Sequence, residues 1–488
     1  MRLTFVRHSD QTTFAGQWWL PGQPGKPAPG TLRIGTDYPE LELHFTSATQ
    51  PTPGRDDERF DVPVLHGRSM GACLTLLGVS ETNSFTSRVG GQHEMRRVLF
   101  AGTVLVGSDH LASAAGCRFN RASFRLSNLN EWVNRSPYRW SSAGPVETLE
   151  LLDLPTLRAT IPGCEITLDR TAVSHHGHLT ESGFTSHEVI ELRLDEPQLL
   201  DELEHRFIRP LEQLLTLATG SSCTAFDVQV GNDNGNGDIG SWPLATYTVR
   251  RRSTDMAQQN RPRIRQHMRL GMNSSSYPPN IDFDEFIPRW ISLQAQLSTV
   301  CDLIFSLRSG SSGYLQQQMF AIASALEGMH RGLSPQYETK SADERARNAE
   351  VLEAVQAGRP EHHDWLRSTI AYAHRKSYAF RIRELLDQTD HIMAEVVGNE
   401  TKWTQQLREI RDGIGHVLPA QDDKTVEQMI AMLYSARLFA ELVLLRQLGL
   451  SAAQCRSSLS RQWELGNVRE YVKKGYPAWF AEPGSIPT

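Results

Sequence analysis

Arg411-Asp412-Gly413-Ile414-Gly415-His416 lies at the end of a helical segment, and its reading decides what the surrounding half of the chain is built to hold. Arginine holds a phosphate and histidine moves a proton near neutral pH, the two operations that phosphodiester cleavage needs when no metal takes part. On a regular helix five positions turn through about 140°. Arg411 and His416 therefore diverge, and a site that uses both is more easily built from two chains related by a two-fold axis. Asp412, four residues before His416, shares its face and can accept a hydrogen bond from the imidazole. Arg408, four residues before Asp412, offers that carboxylate a plain surface ion pair instead.

Outward from this stretch, nearly everything after about residue 280 carries helical spacing. The expected helices are 284–308, 314–333, 343–357, 361–374, 376–397, 401–417, 424–447 and 451–464, joined by short loops containing Gly, Pro, Asp or Asn. In 424–447 the residues Met429, Met432, Leu433, Ala436, Phe439, Leu442, Val443 and Leu445 are apolar over most of the circumference, which predicts burial on several sides, in the bundle or in a dimer interface. Before residue 280 the pattern is different. Thr31–Ile34, Leu41–Phe45, Val98–Val106 and Val189–Leu194 alternate as strands between Gly, Pro, Asn and Asp punctuation. A strand pair flanks the turn from Gly231 to Asp238, and one helix is expected from Pro197 to Thr219, with Pro210 as a kink and Gly220 as its stop. The fold class read from this is α+β: a β-rich amino-terminal domain over 1–275, followed by an all-α bundle over 280–488.

Composition narrows the class of protein. With 488 residues, 39% hydrophobic and 22% charged, the chain exceeds one ordinary core, and no run of about twenty apolar residues marks a membrane span. The amino terminus lacks the apolar core of a secretory signal, so the cytoplasm is the expected compartment. Six scattered cysteines, without a Cys-x-x-Cys pair, read as reduced structural thiols. A net charge of −6 argues against a protein that coats nucleic acid, yet leaves room for a local basic site. Arg250, Arg251, Arg252, Arg261, Arg263 and Arg265 form the densest basic run and are candidate RNA contacts, with a solvated linker as the bland alternative.

Other strings are set aside. Val6-Arg7-His8-Ser9 lacks the glycine of a histidine-phosphatase opening, and the Asn232–Pro243 loop has proline where an EF-hand needs its last glutamate. His175-His176-Gly177-His178 and Glu361-His362-His363-Asp364 lack a second ligand cluster at diagnostic spacing, so no metal or cofactor is expected.

The string from Arg411 to His416 fits the Arg-(Asn/Asp/His)-x-x-x-His form, and it resembles the signature of HEPN-domain ribonucleases. Phe320–Arg331, with Glu327 and Arg331 in a Leu-Glu-x-x-x-Arg pattern, resembles the early helix of ApeA-like HEPN proteins. Phe380–Leu386 resembles their middle helix, and Leu444–Leu450 their closing one. Phe14–Pro21, followed by Gly30-Thr31-Leu32, resembles the opening of the domain that precedes HEPN in the same family. The resemblance implies an anti-phage abortive-infection effector that cuts cellular RNA, with transfer RNA the first candidate. Its amino-terminal domain would sense infection through a phage trigger such as a protein. Glu327 and Arg331 would support the site, or simply form an i,i+4 salt bridge.

In chemical terms, His416 would act as general base on the ribose 2′-hydroxyl or general acid on the departing 5′-oxygen, with Arg411 stabilising the transition-state charge. The products would be a 2′,3′-cyclic phosphate and a 5′-hydroxyl. Two rivals remain: a non-catalytic HEPN protein that only dimerises or binds RNA, and a metal-dependent hydrolase using the histidine clusters.

Overall fold

Alternating apolar residues in the first half of the chain build a closed barrel. A computed structural model describes residues 12–35, 38–46, 59–89, 92–144, 146–176, 182–233, 246–250, 267–270, 280–308, 313–415, 425–460 and 463–480. Strands β1 (Thr12–Trp19), β2 (Ala28–Ile34), β3 (Glu40–Thr46), β4 (Asp61–Ser69), β5 (Ala72–Val89) and β6 (Gln92–Gly107) pair in the order β6-β3-β2-β1-β4-β5, and β5 pairs back onto β6. Closure leaves no edge on this ring. Trp18, Leu32, Leu41, Leu43, Leu65, Leu74, Leu76, Leu99 and Val104 fill it. The indole of Trp18 lies flat on Gly67, where any side chain would collide with the ring.

Strand β6 carries more than the barrel. Its residues Glu94–Phe100 pair with β3, whereas Val104–Val106 pair with β14 (Thr246–Arg250). From there the sheet continues through β13 (Ala225–Gly231), β7 (Arg118–Leu126), β12 (Ser182–Leu199), β11 (Cys164–His176) and β10 (Leu157–Ile161). A separate hairpin joins β8 (Tyr138–Ala143) to β9 (Val146–Leu151). All four strands expected from alternation, and the pair β13–β14 around the Gly231 turn, are present.

The helix expected from Pro197 begins later. Pro197 lies within β12, beside a register shift between Arg193 and Gln198, where a missing N–H is tolerated. The helix starts as α2 (Leu200–Leu203), with the Glu202 carboxylate accepting from the Leu199 N–H at 3.1 Å. A π turn over Glu204–Ile208 then carries it past Pro210 into α3 (Arg209–Thr219); the wider turn accommodates the hydrogen bond that proline cannot make. Gly220 stops it at φ +66°. A short helix, α1 (Leu129–Val133), precedes both.

Glu212 of α3 is almost fully buried and accepts from the Ala225 N–H at 2.6 Å. Burial, opposed in part by that bond and by Arg209, pushes its carboxyl up to about 7. A folded-state value above the unfolded one means the folded protein keeps a proton that the unfolded chain releases, so stability falls as pH rises from the ordinary carboxyl range towards 7. Glu212→Gln is expected to raise the melting temperature more at pH 8 than at pH 5, with a gain of at most about 3 kcal/mol. An equal shift at both values would show that the carboxyl ionises normally.

The remainder is helical: α4 (Phe283–Gln296), α5 (Ser298–Ser306), α6 (Leu315–Leu333), α7 (Ala342–Gly358), α8 (His363–Ala371), α9 (Tyr378–Gln388), α10 (Ala394–Val397), α11 (Glu400–Gly415), α12 (Val426–Gln447), α13 (Ala452–Ser460) and α14 (Trp463–Gly475). This is the expected α+β class. The described residues fall into two compact units: those of 1–212, 223–264 and 283–288, and those of 213–222, 265–282 and 289–488.

Helix α12 corrects one reading of composition. Among the described residues it is the one helix long and apolar enough to cross a membrane. Its fate here is burial against the chain's own helices, with 14 residues inside. Thr425 and Gln428 cap its start reciprocally. Glu441, facing the core, is held by Arg308 through two bonds, Nε–Oε1 at 2.8 Å and Nη2–Oε2 at 2.5 Å.

Candidate active site

Helix α11 turns Trp403, Leu407 and Ile410 inward at helical spacing, and all three are fully buried. The Trp403 indole N–H donates to Ser435 Oγ at 2.9 Å, and its ring meets Phe439 edge to face at 5.4 Å, both on α12. With that face fixed, Arg411 emerges at the flank beside α6. Its Nη2 donates to Glu327 Oε2 at 2.7 Å and its Nη1 to Asp412 Oδ1 at 2.9 Å. The guanidinium lies 5.6 Å from the centroid of the Tyr378 ring. Tyr378 is itself buried and donates its hydroxyl to the Ala323 carbonyl at 3.3 Å. Gly415 packs close to Phe320, since a Cβ there would sit 3.6 Å from that ring. Pairs 411–327 and 415–320 show α11 and α6 running antiparallel.

Glu327 does two jobs at once. Its second oxygen accepts from Arg331 Nη2 at 2.8 Å, the i,i+4 bridge expected from spacing, while the first reaches Arg411. Asp412 is likewise shared between Arg411 and Arg408, the latter at 3.4 Å. Three guanidiniums thus share these two carboxylates. Burial disfavours the charge on Arg411, but the bonds and charges of Asp412 and Glu327 outweigh it and hold its pKa above the usual value. About a third of the Arg411 side chain stays exposed, and two of its five N–H groups make the bonds just described.

The network runs deeper than the sequence suggested. Arg331 lies 3.8 Å from Glu338, whose other oxygen is 2.7 Å from Arg381. Burial works against the charge on Glu338, but Arg381, Arg331 and Arg375 together hold its carboxyl below the usual range. Arg381, 1% exposed, donates Nη1–H to His330 Nδ1 at 3.1 Å, so Nδ1 is the acceptor and the His330 Nε2–H donates to Glu384 at 2.7 Å. Charges of opposite sign therefore alternate from Asp412 to Arg381 through residues on α6, α9 and α11. Tyr378, Arg381, His330 and Glu338 were not singled out from the sequence. The one available signal was an arginine and a histidine set among apolar positions, Arg381 beside Ile382 and His330 beside Met329.

His416 lies outside the described residues, as do Arg251, Arg252, Arg261, Arg263 and Arg265. Arg250 ends strand β14. The structure thus brings together Arg411, Asp412, Glu327 and Arg331. The amino-terminal Val6-Arg7-His8 string and His178 also fall outside the described residues. Among the described residues no group of three or more His, Cys, Asp or Glu is placed to hold a metal. All six cysteines are buried and none forms a disulfide, and burial pushes the thiols of Cys164 and Cys301 up to about 12.

Residues 13–290 match the model of ApeA N-terminal domain 1, and residues 320–454 match that of the Apea-like HEPN domain. No curated protein and no solved structure matches the chain. The second match spans α6 to α13 and so encloses every residue of the charge network. HEPN domains are generally ribonucleases that dimerise and bind RNA, and at family level these two domains mark an abortive-infection effector. With one model covering more than half of its length and the other its helical part, the chain belongs to the ApeA-like HEPN family.

Proposed function

We propose that the protein is a metal-independent endoribonuclease that cuts cellular RNA, with transfer RNA the first candidate, as an anti-phage abortive-infection effector in the cytoplasm. The observation that carries this reading is Arg411: a guanidinium about one-third exposed, kept charged and aimed by Glu327, Asp412 and the Tyr378 ring, within the matched HEPN region. Such a group binds a phosphate and stabilises the added charge of a phosphorane-like transition state. His416, five positions on, supplies the proton transfer at the 2′-hydroxyl or the 5′-oxygen. Asp412, with both oxygens on arginines, orients Arg411 as well as facing the histidine's side of the helix. A ribose 2′-hydroxyl as nucleophile restricts the reaction to RNA.

Purified wild-type protein should cleave RNA in EDTA, leaving 2′,3′-cyclic phosphate and 5′-hydroxyl ends, and sequencing of 5′ ends from cells expressing wild type or His416→Ala should reveal the sites. RNA that binds but stays intact under all conditions would favour the non-catalytic reading, and loss of activity in EDTA the metal-dependent one.

Arg411 and His416 diverge on a regular helix, so the working site is expected to draw on two chains. Light scattering of the full-length protein should show a dimer; a strict monomer that still cleaves RNA would sink the composite site. A fragment starting near residue 280 is a poor substitute. The Gly220 carbonyl accepts from Arg308 at 2.7 Å, and Ser458 is bonded to His267, so the helical unit would lose parts of itself.

A nuclease that attacks its host's RNA must be held in check, and residues 1–275 are the element available to do it, with a phage product as trigger and the Arg250–Arg265 run as a candidate RNA contact. Expressed full-length protein should be weakly toxic until infection. Equal cleavage with and without infection would remove the sensor role.

A further inference from the structure

Helices α7 and α8 contribute nothing to the core: neither has a buried residue. Helix α7 has no apolar stripe, its few aliphatic residues being spread round it, and it is capped by the Ser341–Glu344 box. Helix α8 differs. Trp365 is 66% exposed, and Tyr372, the residue that ends the helix, is 62% exposed. Seven positions are close to two full turns, so the two rings return to one face.

Cations accompany those rings. The Arg375 guanidinium lies 4.6 Å from the centroid of Tyr372. Lys376 reaches over Tyr337 and Phe380, 5.2 Å from each centroid. The face offers separate π faces and positive charge on a chain whose net charge is −6. Unpaired bases stack on such faces while phosphates meet the cations. The position fits as well. Five residues separate Tyr372 from Tyr378, whose ring lies under Arg411, so the two Cα atoms are at most about 22 Å apart.

We propose that Trp365 and Tyr372, with Arg375 and Lys376 beyond the end of α8, form a stacking platform that binds unpaired RNA beside Arg411 and selects single-stranded or looped segments over duplex. The proposal rests on the ribonuclease reading for its link to cleavage, but binding tests it separately.

Full-length His416→Ala, which should hold RNA intact, is titrated with a fluorescein-labelled mixed-sequence single strand and with a duplex of the same sequence. Trp365→Ala and Tyr372→Ala should each weaken single-strand binding by about 5- to 150-fold, with Trp365→Phe restoring most of it. Arg375→Gln or Lys376→Gln should instead flatten the salt dependence. In the otherwise wild-type enzyme Trp365→Ala should raise KM and leave kcat nearly unchanged. Single-strand affinity unmoved in the Trp365→Ala/Tyr372→Ala double variant would overturn the platform. So would an equal loss for duplex, or conversion of a dimer to a monomer, which would mark the face as a contact between copies. Cleavage that needs Arg411 and His416 but ignores Trp365 and Tyr372 removes the platform alone; platform-dependent binding without any cleavage removes the ribonuclease reading and leaves the platform standing.

Discussion

His416→Ala is expected to lower RNA cleavage by about 10²- to 10⁴-fold, the scale of losing a positioned general acid or base, while the thermal unfolding transition stays where it was. Arg411→Ala should cost about 10²- to 10³-fold through lost transition-state stabilisation. Arg411→Lys should recover little, because an ammonium cannot reproduce two simultaneous bonds to Glu327 and Asp412 and still meet a phosphate. If the two residues act on one phosphodiester, as proposed, the double variant should lose far less than the product of the single losses. A fall in activity that tracks a collapsed melting transition would make His416 structural rather than chemical.

Glu441→Ala should destabilise the helical unit by about 3–5 kcal/mol, the usual consequence of removing one partner from a buried ion pair. Glu441 is 2% exposed and takes both of its bonds from Arg308, itself 9% exposed. Arg308 would keep its bond to the Gly220 carbonyl but lose its counter-charge. Pairing the change with Arg308→Met removes both charges and should recover much of the loss, because the pair itself repays little beyond its own desolvation. Urea titration followed by tryptophan fluorescence reads both variants. A single-variant loss under about 1 kcal/mol would mean that water reaches this pair.

Local pattern was enough for the strands and for most helices, and the failures have local causes. The expected helix 284–308 is two helices, because Leu297 at φ −117° breaks the ladder without any glycine or proline to announce it. The expected helix 376–397 stops at Gln388, where Asp390 and His391 both take left-handed backbone angles. Helix α14 went unread; Gly466 and Asn467 interrupt its start, and only Val468 and Val472 mark its buried face. Barrel closure of β5 onto β6 is a matter of register between distant strands, which alternation does not encode. The site divides in the same way. Arg411, Asp412 and the Glu327–Arg331 bridge are visible as spacing, whereas the bond from Arg411 to Glu327 spans 84 residues and exists only in the fold.

That long bond has a consequence for synthesis. Glu327 leaves the ribosome well before Arg411, and Arg411 is not yet held when it appears, since its helix is anchored through Trp403 to Ser435 and Phe439, which follow later. The carboxylates that aim the guanidinium converge only after the chain has been made almost to its end. A polypeptide interrupted before Ser435, by a stalled ribosome or a nonsense codon, lacks the packing that fixes the helix of Arg411.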